Sequence, residues 1–212
     1  MRAVIFDFDG VIADTMEDNC NAWKKSFSDF GFDMNESEYY LLEGMGRYQI
    51  AQYFIGKYFL DPDIKSEVVT RKEFNYKVNS KFRLFDYIVE ILLFLQSKHL
   101  PMAIVTGASR ERLHESLADT VSNFFDVIVT SDDVINPKPN PESYIKAVNL
   151  LNVPADACIV VENAILGIQS AKAAGCKCFA LQTTMDAKVL KDADEIFASH
   201  FDLFERFKYQ FA

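Results

Sequence analysis

Five short apolar runs, separated by segments with helical periodicity, constrain the fold of this chain more than any other feature. The runs cover residues 3–6, 102–105, 127–129, 158–161 and 178–181. Uninterrupted apolar runs are typical of strands covered on both faces, and the segments between most of them repeat apolar residues every three or four positions. Right-handed βαβ crossovers then predict an α/β fold with a doubly wound parallel sheet, which binds ligands at the carboxyl ends of its strands.

The segment between the first two runs departs from this alternation. It is polar and carries helical stripes of apolar residues, such as Trp23, Phe27 and Phe30, which are followed by Gly31. It contains no apolar run that indicates a buried strand. We therefore predict a core domain from residues 1–14 and 82–212 and a small helical cap domain from residues 15–81, joined by short hinges.

Charge and composition limit the possible partners. The chain has 22 Lys and Arg against 31 Asp and Glu, a net charge of −9, and no basic cluster that would hold a nucleic acid backbone. Its first residues suit neither a signal peptide nor a membrane span, so we expect a cytoplasmic protein without nucleic acid or membrane partners. The four cysteines are expected to be buried, reduced thiols.

An aromatic stripe closes the sequence, with Phe197, Phe201, Phe204, Phe207 and Phe211 at helical spacing. It predicts a terminal helix that packs on the sheet, and a partner-binding face is the alternative. We accordingly expect a monomer, with a dimer as the alternative.

Polar residues follow each of the first four predicted strands. Because the carboxyl ends of parallel strands meet at one edge, Asp7, Asp9 and Glu162 would repel one another there unless a cation or protons lay between them. Oxygen ligands without His or Cys favour Mg²⁺ over zinc. The residues after the strands are Asp7, Thr106, Thr130, Glu162 and Asn163.

One cation, Lys138, lies beside these acidic residues between two prolines that restrict its backbone. An ammonium group, a divalent cation and the Thr106 hydroxyl together suit a phosphoryl group, whose charged oxygens must be neutralised during transfer. Gly107 and the helix that follows it supply backbone N–H groups for the same oxygens. The sequence therefore indicates phosphoryl transfer.

Four motifs in order resemble those of the haloacid dehalogenase superfamily. They are DFDGVIADT at 7–15, IVT at 104–106, PKPNPE at 137–142 and VVENAILG at 160–167. The resemblance covers nearly the whole chain and is greatest to the subgroup with a small helical cap, which includes phosphoglycolate phosphatases, sugar-phosphate phosphatases and β-phosphoglucomutases. It implies a Rossmann-like core, an inserted cap, Mg²⁺ as cofactor and a small phosphorylated metabolite as substrate.

The resemblance also implies roles for individual residues. Asp7 is expected to form an aspartyl-phosphate, and Asp9 to act first as general acid and then as general base. Asp9 also argues against haloalkanoate dehalogenation, because the dehalogenases of the superfamily lack this residue. Thr106 and Lys138 are expected to hold the phosphoryl oxygens. The expected Mg²⁺ ligands, direct or through water, are Asp7, the carbonyl of Asp9, Glu162 and Asn163.

Two residues depart from the pattern of the superfamily. Asn163 stands where Asp is usual, and an amide oxygen brings no charge, so we expect weaker Mg²⁺ binding. Asn19 stands where β-phosphoglucomutases carry a His, which favours a hydrolase over a mutase.

The cap supplies candidates for substrate binding. Gly46 and Arg47 lie in a Gly-x-Gly-Arg sequence that resembles the specificity loop of such caps, and Arg47 either clamps a second anionic group or is solvated. Lys72 either reaches the cleft or lies on a solvated helix face. Thr15 and Gly107 complete the predicted substrate-binding set.

The sequence therefore predicts a Mg²⁺-dependent phosphomonoester hydrolase that acts on a small sugar phosphate or phosphoglycolate through an aspartyl-phosphate. One alternative is a β-phosphoglucomutase-like phosphomutase. A second alternative is a catalytically impaired protein that binds phosphometabolites or other proteins.

Overall fold

A six-stranded parallel sheet forms the centre of the protein in the computed structural model, which describes residues 1–117 and 119–212. The strand order is β3-β2-β1-β4-β5-β6, and every neighbouring pair is parallel. The predicted doubly wound α/β fold is confirmed. The strands are β1 (Ala3–Phe6), β2 (Met102–Val105), β3 (Val127–Val129), β4 (Cys158–Glu162), β5 (Lys177–Leu181) and β6 (Glu195–Phe197).

Helices cover both faces of the sheet because successive strand residues point to opposite sides. In β1, Val4 and Phe6 face one apolar layer, whereas Ala3 and Ile5 face the other. The first layer includes residues of α5 (Ile88–Ser97), α6 (Arg110–Ser116) and α10 (His200–Gln210). The second layer includes residues of α8 (Glu142–Leu151) and α9 (Ile165–Ala173). The short helix α7 (Asp119–Ser122) contributes Val121 to the first layer.

The prediction for the C-terminal aromatic stripe was wrong at Phe197. That residue ends β6, which pairs with β5, and α10 begins only at His200. A three-residue strand that begins with Glu195 has too few apolar positions to be recognised as a buried run. The rest of the stripe does pack against the core, where the ring of Phe207 stacks on that of Phe179 at a centroid distance of 6.0 Å.

The segment after β1 is a block of helices with its own apolar centre, which we call the cap. Trp23 stacks on Phe27 at 5.9 Å, and Phe27 meets Phe54 edge to face at 5.5 Å. Such aromatic pairs stabilise a small helical core beyond the area they bury. The cap helices are α1 (Met16–Ser28), α2 (Glu36–Tyr40), α3 (Arg47–Lys57) and α4 (Lys65–Asn79).

The two chain segments that connect the cap to the core lie side by side. Ala13 and Leu84 form an antiparallel bridge. The amide of Asp14 donates to the carbonyl of Arg83 at 2.9 Å, and the amide of Phe85 donates to the carbonyl of Ile12 at 3.1 Å. The cap therefore enters and leaves the core at one place.

The cysteines agree with the expectation of buried, reduced thiols. Cys20, Cys158, Cys176 and Cys178 are all buried and free of disulfide bonds. Within residues 1–117 and 119–212, no helix combines the length and the apolar composition that crossing a membrane requires.

Candidate active site

The polar residues that follow the strands meet at one edge of the sheet. The amide of Asp7 donates to Val161 in β4, and the amide of Thr106 donates to Val129 in β3, each at 2.9 Å. These bonds continue the parallel ladders beyond the strands and fix both side chains at the carboxyl edge. Asp7, Asp9, Thr106, Lys138, Glu162 and Asn163 are all buried there.

Lys138 joins the carboxylates of Asp7 and Glu162. Its Nζ lies 2.6 Å from Asp7 Oδ1, 2.7 Å from Glu162 Oε1 and 3.3 Å from the Val105 carbonyl. Burial lowers the pKa of Lys138, but the two carboxylates outweigh it and the net pKa is raised. The side chain is therefore a fixed ammonium group beside Asp7.

The pKa of Asp7 is raised to about 7, mainly by burial, and Lys138 opposes this rise. The neighbouring carboxylates of Glu162 and Asp9 add to it. A second cation beside Asp7 would therefore favour its ionised form, which is the form that can act as a nucleophile or as a metal ligand.

Glu162 uses both carboxylate oxygens in contacts with the protein. Oε1 accepts from Lys138 and from the Tyr144 hydroxyl, the latter at 2.7 Å, and Oε2 accepts from the amides of Asn163 at 3.0 Å and Ala164 at 3.3 Å. The side chain thus anchors Lys138 and the start of α9. Tyr144 is a further site residue that the sequence prediction missed.

Asn163 presents a buried oxygen without a hydrogen-bond partner. Its Nδ2 donates to the Thr184 hydroxyl at 2.8 Å, and its Oδ1 is unpaired. A buried acceptor without a partner is costly and suits a ligand or cation that is not part of the chain. Gly10 lies against this amide, since a Cβ there would be 2.1 Å from Nδ2, so the close approach requires glycine.

These donors fit Mg²⁺ better than a transition metal. Within the described part of the chain, no group of three or more His, Cys, Asp or Glu side chains is arranged to hold a metal ion. The donors at this edge are instead mixed, a buried Asp7 carboxylate and the unpaired amide oxygen of Asn163. The Asp9 carbonyl and Glu162 stay predicted ligands. Carboxylate, amide and carbonyl oxygens are ligands of hard cations.

Asp9 is held by four donors from three residues. Its Oδ1 accepts from Thr15 Oγ1 at 2.6 Å, Asn19 Nδ2 at 3.1 Å and Arg112 Nη1 at 3.0 Å, and its Oδ2 accepts from Arg112 Nη2. Burial by itself raises the pKa of Asp9, but the charge and hydrogen bonds of Arg112 outweigh it, so the net pKa is lowered.

Arg112 is the main site residue that the sequence prediction missed. It is 7% exposed, and its guanidinium lies 4.8 Å from the ring centre of Tyr76 in the cap. The sequence did contain a signal for this residue, the helix N-cap Ser109, whose hydroxyl accepts from the Arg112 amide at the start of α6. That cap places Arg112 in the first turn of the helix that follows Thr106, next to the site.

Thr106 is buried at the carboxyl edge of the sheet, and Gly107 follows it and lines the cavity. The Thr106 hydroxyl accepts from the Ala108 amide at 3.0 Å, which orders the turn that contains Gly107. A Cβ at Gly107 would lie 3.2 Å from the Gly44 carbonyl oxygen and 3.3 Å from that of Met45. Glycine therefore lets the cap loop approach the core closely.

The cap covers the site and encloses a small cavity. Gly46, the N-cap of α3, contacts Pro137, since a Cβ there would be 3.4 Å from Pro137 Cγ. The cavity is lined by Asp7, Asp9, Asn19, Trp23, Tyr39, Glu43, Gly44, Met45, Arg47, Ile50, Lys72, Glu73, Gly107, Ala108 and Arg112.

The predicted substrate-binding residues differ in their positions. Lys72 is 3% exposed and lines the cavity, so it is not part of a solvated face. Arg47 also lines the cavity, but its guanidinium donates to Ser131 at 3.0 Å and to Asp132 at 3.2 Å. Thr15 is fully buried and contacts Asp9 rather than the cavity. Substrate binding by Thr15 stays a prediction.

Comparison with known proteins agrees with this geometry. Residues 4–181 match the protein family described as "Haloacid dehalogenase-like hydrolase". The chain is 29% identical over 209 residues to the Validoxylamine A 7'-phosphate phosphatase of Streptomyces hygroscopicus subsp. limoneus, covering 91% of each protein. It is 29% identical over 175 residues to the Fructose-1-phosphate phosphatase YqaB of Escherichia coli, covering 81% of this chain and 92% of the relative. One further relative is much longer, and the chain spans only 19% of its length.

A solved structure supports the same assignment. The putative beta-phosphoglucomutase from Bacteroides vulgatus superposes with a TM-score of 0.85 at 28% identity, covering 98% of this chain and 88% of that one. The structural match over nearly the whole chain and the family match over residues 4–181 agree with each other. The chain therefore belongs to the haloacid dehalogenase-like hydrolases.

Proposed function

We propose that the protein is a Mg²⁺-dependent phosphatase that hydrolyses small phosphomonoesters through an aspartyl-phosphate. The observation that carries this proposal is the convergence of Asp7, Asp9 and Lys138 beneath a closed cap, with the nucleophile bound to Lys138 at 2.6 Å. Two relatives that cover at least four fifths of this chain are named as phosphatases.

Two carboxylates divide the proposed chemistry between them. An Asp7 oxygen attacks phosphorus while Asp9 donates a proton to the departing alkoxide, which leaves an aspartyl-phosphate and free alcohol. This step requires Asp9 to take up a proton once substrate is bound, because Arg112 lowers its pKa in the free protein. Asp9 then accepts a proton from the water that attacks the phosphoenzyme. Inorganic phosphate departs, and the Asp7 carboxylate is restored.

Fixed positive charge and backbone donors assist both steps. Lys138 neutralises charge on the phosphoryl oxygens and on Asp7, and the Thr106 hydroxyl and the Gly107 backbone would hold those oxygens. The residues that would hold Mg²⁺, directly or through water, are Asp7, the Asp9 carbonyl, Glu162 and Asn163. Both Glu162 oxygens already accept hydrogen bonds from the protein. When bound, the ion supplies further charge neutralisation at the phosphoryl group.

The closed cap favours a small substrate. Gly107 and Gly46 allow the cap loop to lie directly on the core, so the reaction takes place away from bulk water. The cap must open to admit the substrate and release the products. We therefore expect small sugar phosphates or related esters to react and phosphoproteins to react poorly.

The test is Mg²⁺-dependent release of p-nitrophenol from p-nitrophenyl phosphate. We expect Asp7→Asn to abolish turnover, whereas Asp63→Asn, an equivalent change at an exposed cap position, should retain it. Absence of turnover in the unaltered protein would favour a phosphometabolite-binding protein. Full activity in Asp7→Asn would contradict Asp7 as the nucleophile.

A phosphomutase is the second candidate, because the solved structure from Bacteroides vulgatus is titled a putative beta-phosphoglucomutase. Glucose 1-phosphate distinguishes the two activities, since a mutase yields glucose 6-phosphate and a phosphatase yields free phosphate. We expect free phosphate. Asn19 supports this expectation, because it contacts Asp9 at the position where β-phosphoglucomutases carry a His.

A further inference from the structure

The loop that follows β5 contacts two chain segments that carry predicted Mg²⁺ ligands. The Thr183 hydroxyl donates to the carbonyl of Gly10 at 2.5 Å, and Gly10 directly follows Asp9. The next residue, Thr184, is half-buried, and its hydroxyl accepts from Asn163 Nδ2 at 2.8 Å. Neither threonine is among the site residues predicted from the sequence. The loop therefore joins the segments that follow β1 and β4.

An amide side chain has two unlike ends for a cation. Its oxygen attracts the cation, whereas its N–H₂ group bears positive partial charge and repels it. Rotation by half a turn about the Cβ–Cγ bond exchanges the two ends with little change in shape. A carboxylate has no such requirement, because its two oxygens are equivalent. Asn163 stands where Asp is usual in this family, so its amide must be held in one orientation to serve as a ligand.

The structure holds Asn163 in the orientation that a cation requires. Nδ2 donates to the Thr184 hydroxyl, and Oδ1 is buried without a partner. The amide also packs against Gly10, where a Cβ would lie 2.1 Å from Nδ2 and 2.9 Å from Cγ. Asn163 is only 1% exposed, so water has little access to replace the Thr184 hydroxyl. Without that hydroxyl, the amide would lose its preference for this orientation.

We propose that Thr184 is a positioning residue that enables Asn163 to act as a Mg²⁺ ligand. The hydroxyl binds the amide nitrogen and leaves the amide oxygen for the cation, as outer partners do for many metal ligands. Thr184 thereby accommodates an amide where the family usually has a carboxylate. This inference rests on the proposed Mg²⁺-dependent activity.

Calorimetric titration of the full-length protein with MgCl₂, without substrate, tests the inference. We expect Thr184→Val to raise Kd for Mg²⁺ by about tenfold, since loss of a partner that orients a metal ligand has effects of this size. Thr184→Ser keeps the hydroxyl and should keep the original Kd. Thr70→Val removes a threonine hydroxyl from an exposed position of α4 and is the matched control.

The same substitution in an Asn163→Asp background separates positioning from a structural effect. A carboxylate presents an oxygen to the cation in either orientation, so Thr184→Val should there change Kd by less than about twofold. A general defect of the loop would instead raise Kd by the same factor in both backgrounds. Thermal unfolding without Mg²⁺ establishes that each variant is folded. The Mg²⁺ concentration for half-maximal hydrolysis of p-nitrophenyl phosphate should shift by the same factor as Kd.

The outcomes distinguish this inference from the proposed function. If the unaltered protein neither bound Mg²⁺ nor hydrolysed p-nitrophenyl phosphate with it, both would be overturned. Mg²⁺-dependent hydrolysis with an unchanged Kd and an unchanged Mg²⁺ requirement in folded Thr184→Val would overturn the role of Thr184 alone. An equal rise of Kd in the Asn163 and Asn163→Asp backgrounds would also overturn it.

Discussion

The guanidinium of Arg112 contacts the carboxylate of Asp9 through both terminal nitrogens, with Nη1 3.0 Å from Oδ1. Asp9 leaves β1 and Arg112 lies in α6, so the contact joins two separate parts of the core. Such a two-point contact fixes the plane of a carboxylate more firmly than one hydrogen bond. Arg112 is therefore placed to orient the proposed general acid and base.

Replacing Arg112 should impair reactions that need a proton from Asp9. We expect Arg112→Gln to lower kcat for an alkyl phosphate by about 10- to 100-fold, because misplacement of a catalytic group has effects of this size. The loss should be smaller for p-nitrophenyl phosphate, whose leaving group departs without a proton. Steady-state kinetics with both esters measures this difference.

Arg110→Gln is the matched control for Arg112→Gln. Arg110 is on the same helix but pairs with Asp133 outside the cavity. Equal losses with both esters in Arg112→Gln would argue for a general structural defect instead of a defect in proton transfer.

Asn163→Asp should strengthen Mg²⁺ binding. The substitution restores a negative charge at a side chain whose Oδ1 is buried and unpaired, and Thr184 can donate its hydroxyl to the new carboxylate. We expect Kd for Mg²⁺ to fall by about tenfold, which corresponds to about 1.4 kcal/mol. Isothermal titration calorimetry without substrate measures it directly. An unchanged or higher Kd would argue against Asn163 as a ligand.

Two roles for Arg47 predict different results for its partner. If Arg47 mainly connects the cap to the core, Asp132→Asn and Arg47→Gln should both raise KM two- to threefold, about the effect of an exposed ion pair. If Arg47 instead binds the substrate, only Arg47→Gln should raise KM. The distances to Ser131 and Asp132 favour the first result.

His200 should make folding stability depend on pH below neutrality. Its ring stacks on Phe85 and contacts the Val11 carbonyl, and burial lowers its pKa. The unfolded chain, with a His pKa near 6.5, therefore binds a proton more readily than the folded protein. Stability is full above about pH 6.5 and falls as the pH drops from there toward the folded-state pKa.

His200→Gln should reduce this dependence. We expect the variant to lose less unfolding free energy than the unaltered protein between pH 7 and pH 5, measured by urea denaturation. His114→Gln, at an exposed position of α6, should keep the original slope. An equal slope in His200→Gln would mean that other groups control the acid sensitivity.

The sheet and its acidic edge were predictable because their signals are local. Uninterrupted apolar runs identify strands that are buried on both faces, and parallel pairing brings Asp7, Thr106 and Glu162 together. Three-residue β6 was missed because a strand on the sheet edge with only two apolar positions has no comparable signal.

Contacts between residues far apart in the sequence were not predictable from spacing. The contact of Arg112 with Asp9 spans 103 positions of the sequence, and the position of Glu43 depends on how the cap loop packs on Gly107. Arg47 has the residue type of an anion clamp, yet it reaches the exterior of the core. Such relationships arise from tertiary packing, to which periodicity and local motifs are insensitive.

The bridge between Ala13 and Leu84 places the two ends of the cap next to each other. A different compact segment could be inserted between these two residues if its own termini lay about one strand spacing apart. The carboxylates of Asp7 and Glu162 would then keep their positions in the core. We therefore expect the cap to be exchangeable as a unit, so that the core would keep the phosphoryl chemistry and a transplanted cap would change which alcohols are recognised.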